Sequence, residues 1–248
     1  MHQRDNFEDF KKFLQDTNSE FQVLEHQVPI ETQMEYFNYS GSLRRHLPDD
    51  AMMDFEQFTA VLLDSASSLA DKKKILSTLA CSKEAKAYRI LQEYLQEPDN
   101  ELRDWAHLAL MESRVLLEAE FSDERQIYIS TGLGGKGNKL RFYVLLLSAN
   151  GNHFLDFQRQ VIEKEFAYAL PNDEGEIEEL TVKENYIELI LLLPIQTDIK
   201  RFLKNVVSEC NQYGNFIAET FTVTNVKKLA EHEIAQIVKK HEDSRTSS

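Results

Sequence analysis

Leu140-Arg141-Phe142-Tyr143-Val144-Leu145-Leu146-Leu147 and Tyr186-Ile187-Glu188-Leu189-Ile190-Leu191-Leu192-Leu193 are the two stretches whose reading decides the fold. Both are rich in aliphatic and aromatic residues and are apolar on both alternations, as a strand covered on both faces must be. Between them, Asn150-Gly151-Asn152 breaks the first run. Phe154, Phe157, Val161, Phe166 and Leu170 then recur at helical spacing up to Pro171. Ile177 to Lys183 reads as a strand that interleaves Glu, Thr and Lys, and Glu184-Asn185 as the turn into the second apolar run. After it come a helix carrying Ile199, Phe202, Leu203, Val206 and Val207, a glycine at position 214 suited to end it, and a strand from Phe216 to Thr224. A last helix carries Leu229, Ile234, Ile237 and Val238.

From residue 139 to 224 the order is therefore β-α-β-β-α-β, the split βαβ or ferredoxin-like arrangement. In it the first and third strands are central and the second and fourth are edges, which suits the apolar and the interleaved strands respectively. The expected class is α+β, with an extra N-terminal strand at Ile127-Tyr128-Ile129 and a C-terminal helix added to the βαββαβ core. Two helices shield only one face of such a sheet, so the other face is expected to be covered by the N-terminal helices or by a second copy, a homodimer through the sheet face.

The N-terminal half reads as helical. Phe7, Phe10, Phe13 and Leu14 form one stripe; Met52, Phe55, Phe58, Val61 and Leu62 form another; three more helices fill residues 69–120. Within these, Leu91-Gln92-Glu93-Tyr94-Leu95-Gln96-Glu97-Pro98-Asp99-Asn100-Glu101-Leu102-Arg103-Asp104-Trp105-Ala106-His107-Leu108-Ala109-Leu110 resembles a HEAT-type repeat. The matching features are the Pro98-Asp99 turn, the Leu102-Arg103 pair opening the next helix and the small residues Ala106 and Ala109. The resemblance covers about fifty residues and implies helix pairs that bind proteins on a concave face. The expected domains are an acidic helical unit at 1–125 and an α+β unit at 126–248.

The 248 residues carry a net charge of −14. Residues 1–130 hold 14 Lys and Arg against 25 Asp and Glu, a balance of −11; residues 131–248 hold 14 against 17, a balance of −3. Phosphate backbones repel such a chain, so no nucleic-acid partner is expected unless through a local basic patch. The longest apolar run, Leu189 to Leu193, is too short to span a membrane, and the N-terminus has no apolar signal segment, so a cytoplasmic protein without membrane contact is expected. Cys81 and Cys210 have no CxxC neighbour and read as buried small hydrophobes. No cofactor or metal site is expected: His232-Glu233 lacks a completing ligand, and the acidic run from Asp173 to Glu179 lacks calcium-loop spacing.

One stretch stands out in composition. Four of the eight glycines lie within six positions, at Gly132, Gly134, Gly135 and Gly137, followed by Asn138 and interleaved with Lys136, Lys139 and Arg141. Glycine admits positive φ, so successive amides can turn toward an anion, and the three cations favour one. The spacing is not that of a P-loop, and a strand follows rather than a helix. A hairpin turn between strands is the competing reading of these eight residues. No catalytic constellation is present in the sequence. The expected function is a non-enzymatic interaction or regulatory protein whose partner is another protein; the alternative is an anion- or nucleotide-binding protein, or an enzyme, built on the glycine-rich loop.

Overall fold

The computed structural model describes residues 21–46, 53–121, 127–170 and 175–246. The stripe from Phe7 to Leu14, Met52 and the start of the acidic run lie outside them. The described residues fall into two compact units, 21–132 and 133–246. The chain is α+β.

The first unit is built from helices α1 (Ile30–His46), α2 (Phe55–Leu63), α3 (Leu69–Cys81), α4 (Ala85–Tyr94) and α5 (Arg103–Phe121). Local chemistry sets their starts. The Asp54 side chain accepts from the Gln57 N–H at 3.0 Å, and Ser68 Oγ accepts from the Asp71 N–H at 3.1 Å, each satisfying an amide that the first helical turn leaves unpaired. A one-turn 3₁₀ segment, Asn100–Leu102, follows Pro98 and leads into α5. Leu76, Leu79, Leu91, Leu102, Trp105 and Leu108 form the centre of one apolar core, each at most 1% exposed. Trp105 is thus a core residue, as its place on the apolar stripe implied.

Two short strands, β1 (Phe21–Val23) and β2 (Ile127–Ile129), pair in parallel in this same unit. The sequence reading had β2 as an extra strand of the C-terminal sheet, and here it is corrected. The Leu24 N–H donates to the Ile129 carbonyl at 2.9 Å. Gln33, buried on α1, donates to the carbonyls of Val28 and Thr131 and accepts from Ser130 Oγ. Residues 129–131 are therefore hydrogen-bonded within the helical unit.

The second unit holds β3 (Gly135–Lys136), β4 (Lys139–Ser148), α6 (Asp156–Ala169), β5 (Glu176–Val182), β6 (Tyr186–Pro194), α7 (Ile199–Asn211), β7 (Ile217–Thr224) and α8 (Glu231–Thr246). The strands lie in the order β5-β6-β4-β7, every neighbour antiparallel, with β3 beside the start of β4. β4 and β6 run in register from Lys139 opposite Pro194 to Leu147 opposite Tyr186. Val144, Leu146, Ile187, Leu189, Leu191 and Leu193 project to one face, where Ile162 and Phe166 of α6 and Leu203, Val206 and Cys210 of α7 complete a core. The period of two sends Tyr143, Leu145, Leu147 and Ile190 to the other.

That second face is covered from within the unit. Ile234 of α8 is 4% exposed against it, flanked by Leu229, Ile237 and Val238, with Leu133 beside them. The expectation looked to the N-terminal helices or a second copy for cover, whereas the C-terminal helix of the same unit supplies an apolar stripe against this face. Among the described residues no helix is long and apolar enough to cross a membrane.

Candidate functional site

The glycine-rich stretch is a hairpin of the second unit from Leu133 onward, while Thr131 and Gly132 close the helical unit. Lys136 lies opposite Lys139, which leaves Gly137-Asn138 as a two-residue turn. Gly137 has φ +58° at the first turn position, a conformation that hairpin turns of this length require and that a side chain disfavours. Gly134 is likewise at φ +64°, and Gly134 and Gly135 are buried. Lys136, Gly137 and Asn138 are exposed, and Lys139 is half-buried.

Arg141 is committed inside the protein. Its guanidinium meets the Glu178 carboxylate through two nitrogens, Nε to Oε2 and Nη2 to Oε1 at 2.7 Å, while Nη1 donates to the Leu133 carbonyl at 2.7 Å. The Arg141 hydrogen bond holds the Glu178 carboxyl below the usual range, with partial burial opposing it. The loop backbone is drawn into the fold too: the Leu133 N–H donates to the Asn225 carbonyl, and the Ile195 N–H to the Asn138 carbonyl. Of the three cations singled out by sequence, one therefore links β4 to the edge strand β5.

A second cationic surface lies on α7. Its buried side is Ile199, Leu203, Val206, Val207 and Cys210. Its exposed side carries Lys200, Arg201, Lys204, Asn205 and Ser208, and among the described residues none of the three cations is in an ion pair. Asp198 caps the helix by accepting from the Arg201 N–H at 3.1 Å. Sequence reasoning used α7 only for its apolar stripe; the complementary face, basic for one and a half turns, was the available signal. Beyond its C-terminal end a cavity of about 430 Å³ is lined by Lys204, Ser208, Asn211, Gln212, Asn215 and Glu219. Asn211 is structural there, donating to the Ile217 carbonyl and accepting from the Phe216 and Ile217 amides.

The helical unit buries charge. Glu112, 6% exposed on α5, accepts from Tyr36 Oη at 2.6 Å and Ser40 Oγ at 2.5 Å, and meets Arg44 as well. Burial pushes the Tyr36 phenol well above its ordinary range. Lys72, 2% exposed, pairs with Asp99 at 2.8 Å, and Tyr94 Oη donates to the same carboxylate. His26 and His107 stack at 3.8 Å, and His26 Nε2 lies 2.9 Å from Asp104 Oδ1. Burial first, then the neighbouring His26, pushes His107 down to about 4. These are ties between helices and turns, none of which sequence spacing revealed. His232 is exposed, Cys81 and Cys210 are buried, and burial pushes the Cys210 thiol up to about 12. Among the described residues no group of three or more His, Cys, Asp or Glu side chains is placed to hold a metal.

No family model and no curated protein matches the chain. Among solved structures, it is similar to a presumed transposase from Deinococcus radiodurans r1, at 17% identity and a TM-score of 0.33, over 42% of this chain and 90% of that one. It is also similar to a REP-associated tyrosine transposase bound to a REP hairpin, at 15% identity and a TM-score of 0.32, over 46% of this chain and 67% of that one. Likeness at this level assigns no activity to this chain. Both neighbours are transposases, one of them bound to a REP hairpin, and this corrects the expectation of a non-enzymatic protein-interaction protein without a nucleic-acid partner.

Proposed function

We propose that the C-terminal unit is a split βαβ, ferredoxin-like domain that contacts a nucleic-acid strand through the outer face of α7. The strand order β5-β6-β4-β7 supports the first half of this reading, with α6 and α7 on one face of the sheet. The observation that carries the second half is the row Lys200, Arg201 and Lys204, exposed and outside any ion pair among the described residues. Residues three and four apart share a helix face, so the three charges form one patch. Two of them stand in the first turn, where the helix dipole disfavours cations by about 0.3–1 kcal/mol each. Stability does not account for that placement, whereas a phosphate backbone does, because the row and the N-terminal end of the helix then attract the same anion.

With a net charge of −14, the contact is local and strongly dependent on salt. Fluorescence anisotropy of a labelled oligonucleotide between 50 and 200 mM salt is the test. Three phosphate contacts to a single strand give a slope of about −2 in log K against log salt. The variant carrying Lys200→Glu, Arg201→Glu and Lys204→Glu is expected to abolish binding while keeping the wild-type circular dichroism. Equal binding by wild type and variant, or none by wild type at low salt, overturns the reading.

A further inference from the structure

The glycine hairpin and the start of α7 stand at the same end of the sheet. Lys139 at the start of β4 lies opposite Pro194 at the end of β6, and the Ile195 N–H donates to the Asn138 carbonyl at 3.1 Å. The Thr197 N–H then returns to the Pro194 carbonyl at 2.9 Å, a turn that delivers the chain to Asp198, the cap of α7. The period of two puts Lys139 on the face of Tyr143, toward α8, and Lys136 opposite it on the same side. The row on α7 belongs to the other face. Cations therefore flank this rim of the sheet on both sides.

Stability explains neither lysine of the hairpin. They sit directly opposite each other in an antiparallel pair, where like charges are destabilising. Among the described residues neither is in an ion pair. Glu178 and Glu179 of the edge strand are engaged elsewhere, with Arg141 and with Lys228 respectively. Lys136 acts on Glu178 only as a lesser cause of its lowered carboxyl, behind the Arg141 bond. The turn between the lysines is bare: Gly137 and Asn138 are exposed, and a Cβ added at Gly137 would meet nothing within 4 Å.

We infer that Lys136 and Lys139 continue the α7 row across the rim of the sheet, so that one phosphodiester backbone passes over the Gly137-Asn138 turn and meets the cations of both faces. The inference rests on the proposed nucleic-acid contact and extends its footprint from three cations to five. The lysine side chains make the contact, as point charges against phosphate oxygens, and the bare turn between them lets the backbone pass close.

Anisotropy of a labelled single-stranded oligonucleotide on the full chain, measured between 50 and 200 mM salt, reads the number of contacts. Five give a slope of about −3.5 in log K against log salt, where the α7 row alone gives about −2. Lys136→Ala with Lys139→Ala is expected to return the slope to about −2 and to weaken binding roughly tenfold or more at 100 mM salt, with circular dichroism unchanged. Lys239→Ala with Lys240→Ala removes the same charge from the exposed side of α8, whose Arg245 lies against Gly151 beyond the other end of β4. That control is expected to keep the wild-type slope. A duplex of the same sequence is run beside the strand; the form bound more tightly identifies the ligand, and loss of about two contacts in the hairpin variant supports the inference on either. A wild-type slope of about −2 that the hairpin variant leaves in place, or an equal fall in both double variants, overturns the extension and leaves the α7 contact standing. Binding that survives the triple charge variant of α7, or is absent from wild type at low salt, overturns both.

Discussion

In the helical unit Glu112 is 6% exposed between Tyr36, Ser40 and Arg44, and Lys72 is 2% exposed against Asp99. In the sheet unit the fully buried side chains are almost all apolar, and the charges stand at a strand edge, as in Arg141–Glu178, or on a surface, as along α7. The more acidic half of the chain therefore turns key charges inward, and the nearly neutral half, Arg141 apart, leaves the basic residues of α7 outside. A count of charges per half, −11 against −3, singles out the less acidic half but not the α7 row within it. What matters is which cations already have a carboxylate, and that differs between the units.

The contrast can be broken most directly at Glu112. Replacing it by Ala strands the Tyr36 and Ser40 hydroxyls in the core, and the expected loss is about 3 kcal/mol or more. The chain has one tryptophan, Trp105, and it sits in the helical core, so its fluorescence reports that unit while circular dichroism reports both. Urea unfolding of Glu112→Ala should move the fluorescence transition to lower denaturant. An unmoved transition would show that the buried carboxylate does not hold the helical unit together.

A smaller effect is expected on acidification. His107 is held neutral by burial and by His26, with Arg103 acting in the same direction and Asp104 against them. A folded value of about 4 against 6.5 for the free side chain means the unfolded chain takes up the proton first. The contribution to stability is present above pH 6.5 and is lost as pH falls toward 4. His107→Asn should flatten the fall in the Trp105 transition between pH 7 and pH 5. An unchanged slope would remove the histidine stack as its cause.

In the sheet unit, Arg141→Ala removes a two-nitrogen contact to Glu178 and the bond to the Leu133 carbonyl. The expected loss is about 1–2 kcal/mol, visible by circular dichroism and absent from the tryptophan transition. A shift in both signals would mean that the units do not respond separately. Least of all, Lys136→Ala with Lys139→Ala should change stability by no more than about 0.5 kcal/mol in either direction. A larger loss would place these lysines with Arg141 as structural cations.

The two apolar runs at 140–147 and 186–193 were legible as strands covered on both faces, because alternation along a strand is a local property of eight consecutive residues. The α8 stripe of Leu229, Ile234, Ile237 and Val238 was equally legible, yet nothing local says which surface it meets: apolar burial is non-directional. The three residues of β1 offer too short a pattern to read, so the partner of β2 could not be found. Lys136, Lys139 and Arg141 stood out by composition, while Lys200, Arg201 and Lys204 were passed over as the outer side of an amphipathic helix.

The sequence by itself determined most of the helices and strands, though not α1, β1 or β3, together with the α+β class and the need for two layers against β4 and β6. Each follows from periodicity and capping within a few residues of chain. Only the tertiary structure decided that α8 is the second layer, that Arg141 is held by Glu178 from 37 positions away, and that among the described residues the three α7 cations are outside any ion pair. Those outcomes depend on which of 42 acidic residues the fold brings near each cation, and proximity between distant residues is not written in any local pattern.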